Sequence, residues 1–289
     1  MSAGPAASLL PDGRRLHLHH GPIDLIVEAW GPEREACYAQ AVRRFDTVLT
    51  GLVAELTALR APLSARHRFS DPIARRMASA VARYPDVFVT PMAAVAGAVA
   101  DEILEALVSG RDVPKAYVNN GGDIAFHLTA GERVSALGPA GTIEIAYGDA
   151  ASGLATSGAG GRSHSLGIAD AVTVAARSAA DADVAATLIA NAVDLPGHPA
   201  ITRVPASELA PDSDLGDRLV TTAVGALSDE DIETALDRGE AVARRYRSEG
   251  NVLEAVLSLR SHCRIVTATK PLHGPLPWGQ AQDAIPQSG

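Results

Sequence analysis

Three polar side chains share one face of a mostly apolar stretch, SAADADVAATLIANAV, at residues 178–193. Asp183, Thr187 and Asn191 recur at every fourth position, so on a helix they lie on nearly the same face. The other residues are mostly apolar, which predicts a buried helix. A buried carboxylate without a partner is energetically costly, and carboxylate and hydroxyl oxygens suit Mg²⁺. The stretch therefore predicts either a magnesium site or a polar stripe that a neighbouring loop satisfies.

A second candidate is the motif VNNGGDIAF at residues 118–126. Gly121 and Gly122 allow positive φ angles and the close approach of a ligand or another chain segment. Asn-Gly is also a strong hairpin signal, so a simple turn explains most of the motif. Asp123, at the start of the returning strand, is harder to explain by packing. A ligand site and a plain hairpin both remain open here.

A third candidate is TSGAGGRSHSLGIADAVTV at residues 156–174, which places a long polar, glycine-rich stretch directly before a strand. Thr156, Ser157 and Gly158 offer hydroxyls and backbone amides of the kind that form anion-binding nests. His164 could donate to a phosphate or act as a base near neutral pH. The alternative is a mobile surface loop whose histidine is incidental.

A fourth candidate is the small-residue stretch TPMAAVAGAVAD at residues 90–101. Ala93, Ala96, Gly97 and Ala100 would let a helix backbone pack closely against a neighbouring helix, which is the more common use of such residues, or against a flat ligand. Small-residue helices of this kind would also permit a homodimer, although nothing in the sequence requires one.

The composition limits the classes of function. The chain of 289 residues is 47% hydrophobic and carries a net charge of −9, which argues against a nucleic-acid or anionic-membrane binder. Cys37 and Cys263 are too few for a zinc cage or a disulfide framework. The apolar stretch at 87–100 is too short to span a membrane, and the first residues lack a signal-peptide pattern. We expect a cytoplasmic protein.

The elements that must position these candidates form a mixed α+β pattern. Periodicity predicts one domain over residues 14–269, followed by a disordered tail at 270–289. We expect strands near 14–20, 23–30, 86–90, 142–148, 170–177 and 218–224, a strand–turn–strand over 115–128, and a final edge strand before 267. We expect helices over 33–59, 72–83, 91–108, 179–193 and 228–250. The segment 194–217 is predicted to be mostly loop.

Taken together, the motifs resemble the FAD:protein FMN transferase (ApbE) superfamily, and most closely its small soluble branch. NNGGDIA, ATSG and ADAVTV occur in that superfamily's order, followed by A-D-x-x-A-T from Ala182 to Thr187. The likeness covers roughly residues 20–265. It implies an α+β fold related to the T-fold, in which helices pack on a mixed or antiparallel sheet.

The resemblance also implies roles for individual residues. Asp183 and Thr187 would hold Mg²⁺ together with the backbone carbonyl of Ala96. In the transferases FMN passes from FAD to a threonine hydroxyl of an acceptor protein, and AMP leaves. His164 and Asp183 would be catalytic. The flavin or phosphate pocket would be shaped by Asn120, Gly121, Gly122, Asp123, Thr156, Ser157 and Gly158.

One departure keeps several functions open. After the histidine the transferases resemble H-x-x-D-P-x-T-G, whereas this chain runs HSLGIADAV directly into a strand. The first hypothesis is a Mg²⁺-dependent protein that binds or transfers a flavin nucleotide, with an unidentified acceptor. The second is a cofactor-biosynthesis enzyme that acts on a pterin or one-carbon-carrier intermediate. The third is a non-catalytic scaffold that binds a small ligand.

Overall fold

A computed structural model describes residues 4–64, 66–138, 141–159 and 164–267. The described strands are β1 (Ala6–Leu9), β2 (Leu16–His20), β3 (Ile23–Ala29), β4 (Lys115–Asn120), β5 (Asp123–Leu128), β6 (Arg133–Gly138), β7 (Gly141–Ala146), β8 (Gly153–Ser157), β9 (Ala171–Ala176), β10 (Ile201–Pro205), β11 (Leu219–Val224), β12 (Glu254–Leu259) and β13 (His262–Val266).

The described helices lie between these strands. They are α1 (Arg34–Phe45), α2 (Val48–Ala54), α3 (Leu56–Leu59), α4 (Pro72–Val81), α5 (Val95–Val108), α6 (Ala179–Ala192), α7 (Ala206–Leu209) and α8 (Asp229–Ser248), with a 3₁₀ turn at Pro91–Ala94 directly before α5.

The central feature is a nine-stranded antiparallel sheet in the order β1-β2-β3-β4-β5-β8-β9-β12-β13. In β4 every second residue is buried, as expected where one face packs on the core. Helices α5 and α6 cover that face, and the β6–β7 hairpin packs a smaller apolar cluster around Phe126 and Ile145. The fold is mixed α+β with a large antiparallel sheet and packed helices, in agreement with the sequence prediction.

Two predicted elements differ in the structure. The helix predicted over 33–59 is divided into α1, α2 and α3, and the strand predicted over 86–90 is an irregular segment. At one break the Thr47 hydroxyl donates to the Arg44 carbonyl (3.3 Å), and such side-chain bonds compete with the helical pattern. At the other break the Glu55 carboxylate accepts from the Ser70 amide (2.8 Å), which draws Glu55 towards the start of α4.

Other strands were not expected. The segment 194–217, predicted to be mostly loop, contains β10 and α7, and β1, β6 and β8 carry no clear sequence pattern. Strand β1 pairs with β2 and lies ahead of the predicted domain start at residue 14. The predicted tail at 270–289 lies outside the described residues. In the part of the chain that is described, no helix combines the length and apolar character needed to cross a membrane.

Candidate functional site

The start of helix α6 is held against α5 and the sheet by two side-chain caps. The Asp101 carboxylate accepts from the amides of Ala179 (3.0 Å) and Ala180 (2.9 Å), and the Ser178 hydroxyl accepts from the Asp181 amide (3.1 Å). These bonds satisfy amides that a helix N-terminus otherwise leaves without partners. Burial raises the pKa of Asp101 to about 6, against the opposing effect of the two amides.

Asp101→Asn is expected to remove part of the pH dependence of stability. Because the folded pKa of about 6 exceeds the usual 3.8, the folded state binds this proton more readily than the unfolded state. The stabilisation that comes from this protonated carboxyl group is fully present below about pH 4 and is lost as the pH rises through about 6. Between pH 4 and 7 the free energy of unfolding of the wild type should therefore fall by up to about 3 kcal/mol relative to the variant.

Urea titrations at several pH values measure this difference. The nearby charges that bear on Asp101 are Arg76, which lowers its pKa, and Asp181, which raises it. Asp86→Asn, at an exposed carboxylate, is the matched control and should show no such trend. If the difference in the free energy of unfolding between wild type and Asp101→Asn stayed constant across this pH range, the raised pKa of Asp101 would be contradicted.

The central carboxylate of the site is Asp183, on the second turn of α6. Its Oδ2 accepts from the Gly97 amide at 3.0 Å. This contact requires close packing of the two helices, since a Cβ on Gly97 would lie 2.2 Å from the Ala179 carbonyl oxygen. Burial, together with the negative charge of Asp123, raises the pKa of Asp183 well above its ordinary value. The ionised form of Asp183 is thus destabilised unless a cation is nearby.

A cavity of about 290 Å³ opens in front of Asp183. We call it the carboxylate cavity, because Asp123, Asp183 and Asp214 lie in its wall while no lysine or arginine is among the described residues that line it. Of the predicted site residues it brings together Ala96, Asp123, His164, Asp183 and Thr187. The rest of its lining consists of Phe88, Val89, Thr90, Met92, Ala93, Val95, Leu166, Leu188, Asn191, Ser213 and Leu215.

The oxygen donors of this cavity fit a magnesium ion. Asp183 supplies a carboxylate, Thr187 supplies a hydroxyl one helical turn later, and Ala96 supplies a backbone carbonyl from α5. The side-chain amide of Asn120 donates to that carbonyl at 3.1 Å, which fixes its orientation. In the described residues no group of three His, Cys, Asp or Glu side chains forms a metal cage. The candidate set depends instead on mixed hard oxygens, which Mg²⁺ accepts.

The NNGG motif forms the turn between β4 and β5. Gly121 and Gly122 have φ angles of +66° and +115°, and the Gly122 amide donates to the Asn119 side chain at 2.8 Å. A Cβ on Gly122 would meet nothing within 4 Å, so no described residue packs closely against it. Neither glycine lines the carboxylate cavity. The hairpin turn accounts for both glycines, whereas Asn120 and Asp123 contact the site directly or through Ala96.

Thr156 and Ser157 belong to strand β8 and not to the turn predicted from their sequence. Thr156 pairs with Thr173, and their hydroxyl oxygens lie 2.8 Å apart. The Thr156 amide donates to Asp123 Oδ1 at 3.3 Å, so it is not free to bind an anion as predicted. Gly158 follows the strand with a φ of +148°, and a Cβ there would lie 2.6 Å from the Asp170 carbonyl oxygen. Its role is therefore close packing against the backbone before β9.

His164 is exposed at the edge of the carboxylate cavity. The residues directly before it, 160–163, lie outside the described part of the chain. Near the C-terminal end of α6, on the same polar face, the Asn191 side chain accepts from the Leu166 amide at 3.0 Å and so anchors the segment after His164. The third polar residue of the α6 stripe thus positions the chain near the histidine.

Sequence reasoning missed a second set of cavity residues. The buried Thr90 hydroxyl donates to Asp214, which joins the segment before α5 to the segment 213–215 between α7 and β11. The guanidinium carbon of Arg218 lies 3.1 Å from the centre of the Phe88 ring. Both contacts link residues more than 100 positions apart. Thr90 begins the predicted small-residue stretch 90–101, but no motif in the sequence indicated its partner segment 213–218. The prolines of 194–217 were the only sequence sign of an irregular segment there.

Comparisons with known proteins agree with the resemblance. The UPF0280 protein of Methanothrix thermoacetophila is 40% identical over 129 residues, covering 42% of this chain and 52% of that protein. The UPF0280 protein of Methanothermobacter thermautotrophicus is 36% identical over 131 residues, covering 43% of this chain and 50% of that protein. The chain spans about half the length of the curated relatives it matches.

Among solved structures, the flavin transferase ApbE from Vibrio cholerae aligns with a TM-score of 0.49 at 11% identity, over 91% of this chain and 98% of that one. A mutant of the same transferase aligns with a TM-score of 0.47 at 12% identity, over 92% and 97%. The family described as AbpE bacteria matches residues 7–265. The chain therefore belongs to this ApbE-related family.

Proposed function

We propose that this protein binds a flavin dinucleotide with Mg²⁺ in the carboxylate cavity and transfers the FMN part to a hydroxyl acceptor. The observation that carries the proposal is the convergence of Asp183, Thr187 and the Ala96 carbonyl on one cavity that also contains Asp123. The carboxylates of this cavity would repel a pyrophosphate unless a cation lay between them. Membership of an ApbE-related family supports the same assignment.

The residues of the cavity have separate tasks in this proposal. Asp183 and Thr187 hold the ion, and Asn120 orients the Ala96 carbonyl towards it. The Gly97 amide fixes the Asp183 carboxylate, so one of its oxygens stays directed into the cavity. When bound, Mg²⁺ would neutralise the negative charge on the phosphates and on the leaving group.

The proposed transfer is a substitution at phosphorus. The acceptor hydroxyl oxygen forms a bond to the FMN-side phosphorus, the bond from that phosphorus to the bridging oxygen breaks, and AMP leaves with that oxygen. His164, at the exposed edge of the cavity, takes the proton of the acceptor hydroxyl as general base. Its exposed position suits an acceptor that arrives from solvent.

The experiment that tests the proposal is a titration with FAD, with and without Mg²⁺, in which released AMP is quantified by chromatography. Thr187→Val removes a hydroxyl donor with little change in shape and is expected to weaken Mg²⁺-dependent FAD binding about tenfold or more. Thr187→Ser keeps the hydroxyl and is the matched control, which should bind within about twofold of wild type.

Two outcomes would contradict the proposal. The first is wild-type protein that binds no FAD in either condition, in which case pterins are the next ligands to test. The second is FAD binding that does not depend on Mg²⁺ and is equal in Thr187→Val and Thr187→Ser. Binding with Mg²⁺ but without AMP release, even when acceptors are supplied, would support the site and contradict the transfer.

A further inference from the structure

A cavity of about 390 Å³ lies between the end of α4 and the end of α8. The segment 83–87 forms one wall, and the last turn of α8 with the residues after it forms the other. None of the described residues that line it belongs to the carboxylate cavity, and its size suits a small molecule. We call it the tyrosine cavity, and the lining residues that matter here are Arg83, Tyr84, Asp86, Arg245, Tyr246 and Glu249.

The base of the tyrosine cavity consists of two buried tyrosines. Tyr84 and Tyr246 are each 3% exposed, and their rings meet edge to face with centroids 4.7 Å apart. The Tyr84 hydroxyl is buried and has no hydrogen-bond partner among the residues that the structure describes. Burial raises the pKa of Tyr84, so this hydroxyl keeps its proton at neutral pH and remains a donor. Because an unsatisfied buried hydroxyl costs stability, a ligand oxygen that accepted from it would remove that cost.

The Tyr84 hydroxyl lies on the side of the tyrosine cavity. Of the groups that shift its pKa by their charge, Arg83, Glu249 and Tyr246 all line this cavity. Asp181 also raises that pKa, and it is joined to Arg83 by an ion pair of 3.1 Å. The unpartnered donor is therefore directed towards the space that these side chains enclose.

The charged side chains of the tyrosine cavity balance each other. Arg83 and Arg245 are cationic, and Asp86 and Glu249 are anionic. Arg83 already pairs with Asp181, whereas Arg245 lies 3.9 Å from Glu249, a long distance for an ion pair. Within the described ranges, the exposed Asp86 carboxylate makes no ion pair or hydrogen bond. Arg245 and Asp86 thus leave one charge of each sign on the two walls, which favours a ligand that carries both charges.

We propose that the tyrosine cavity binds a free α-amino acid with an apolar side chain. The carboxylate of the ligand accepts hydrogen bonds from Arg245 and from the Tyr84 hydroxyl, and its ammonium group pairs with Asp86. Pro85 and Val87 supply apolar contacts on the same wall as Asp86. This site is independent of the proposed nucleotide site, because the two cavities share no described residue.

Isothermal titration calorimetry with L-leucine and with L-phenylalanine tests the inference. We expect at least one of them to bind at millimolar concentration or below. The N-acetyl derivative of the same amino acid lacks the ammonium charge, and its amide lacks the carboxylate charge. Each derivative should bind at least about tenfold more weakly than the free amino acid, because one charged hydrogen-bonding partner is lost.

Two charge variants assign the ligand to this cavity. Arg245→Gln and Asp86→Asn should each weaken amino-acid binding about tenfold or more, since each leaves one charge of the ligand without its partner. Arg247→Gln is the matched control, because Arg247 lies on the same turn of α8 and does not line the cavity. It should bind within about twofold of wild type. Thermal unfolding of each variant confirms that it is folded.

Tyr84→Phe separates a binding role of the hydroxyl from a structural one. The variant removes only the unpartnered hydroxyl, so the midpoint of thermal unfolding of the ligand-free protein should rise by about 1–3 °C. Amino-acid affinity should nevertheless fall about threefold or more, because the ligand carboxylate loses a donor. A lower midpoint together with unchanged affinity would show that the hydroxyl serves the fold and not a ligand.

Three further results would overturn the inference. The first is wild-type protein that binds neither amino acid at millimolar concentration. The second is an N-acetyl derivative or an amide that binds as tightly as the free amino acid. The third is equal affinity in Arg245→Gln and Arg247→Gln. Protein that binds an amino acid in this manner but no flavin nucleotide would support this inference and contradict the proposed function.

Discussion

Asp183→Asn is expected to abolish Mg²⁺-dependent nucleotide binding while making the ligand-free protein more stable. The variant removes the carboxylate charge that is proposed to hold the ion, so the apparent FAD affinity with Mg²⁺ should fall about 100-fold or more. The amide oxygen of asparagine can still accept from the Gly97 amide, so the link between α5 and α6 is kept. Binding and stability should thus change in opposite directions.

The gain in stability follows from the environment of Asp183. Burial and the nearby charge of Asp123 raise its pKa, which means that its ionised form costs folding free energy near neutral pH. Replacing the charge by a neutral group of the same shape should increase the free energy of unfolding by about 1–3 kcal/mol. Urea titration of the ligand-free protein measures this change in the free energy of unfolding, and FAD titration with Mg²⁺ measures the change in nucleotide affinity.

Asp181→Asn is the matched control on the same helix. Asp181 pairs with Arg83 at 3.1 Å and does not line the carboxylate cavity. Its replacement should leave nucleotide binding unchanged and reduce stability slightly through the lost ion pair. If Asp183→Asn kept wild-type Mg²⁺ dependence, or if both variants lost binding equally, Asp183 would not be the residue that holds the ion.

Gly97→Ala is expected to destabilise the protein, against the usual preference of helices for alanine. In a helix interior alanine is favoured over glycine by about 1 kcal/mol. Here the added Cβ would lie 2.2 Å from the Ala179 carbonyl oxygen and 2.7 Å from the Ala180 nitrogen, both backbone atoms that cannot rotate away. Helices α5 and α6 must therefore move apart, which should lower the free energy of unfolding by about 2–3 kcal/mol.

The same displacement should weaken nucleotide binding, because the Gly97 amide would leave Asp183 and the Ala96 carbonyl would shift with it. We expect at least a tenfold loss of Mg²⁺-dependent FAD affinity. Gly4→Ala is the control, since a Cβ there meets nothing within 4 Å, and it should change stability by less than about 0.5 kcal/mol. A Gly97→Ala variant more stable than wild type would show that the helices are not in such close contact.

Local patterns were sufficient to predict the helix and the hairpin that carry the candidate site. Helix α6 is a long, mostly apolar run that begins with a serine cap, and its observed bounds of 179–192 differ from the prediction by one residue. The β4–β5 hairpin follows from Asn-Gly between two alternating runs. In both cases the information lies within about 15 consecutive residues, so tertiary contacts did not override it.

Other parts of the site depend on distant contacts that the sequence does not display. Thr156 looks like a turn residue, yet its pairing with Thr173 places it in a strand. The proximity of Asp123 to Asp183 and the bond between Thr90 and Asp214 join segments separated along the chain by several elements. Phe88 resembled a strand residue, and only the structure shows it in the wall of the carboxylate cavity.

The most direct test of the central claim is anomalous diffraction from crystals grown with FAD and Mn²⁺, a substitute for Mg²⁺ that can be located unambiguously. The account predicts one strong anomalous peak in the carboxylate cavity, about 2.1 Å from an Asp183 carboxylate oxygen and within bonding distance of the Thr187 hydroxyl and the Ala96 carbonyl. A peak elsewhere, or a bound nucleotide with no metal beside Asp183, would contradict it.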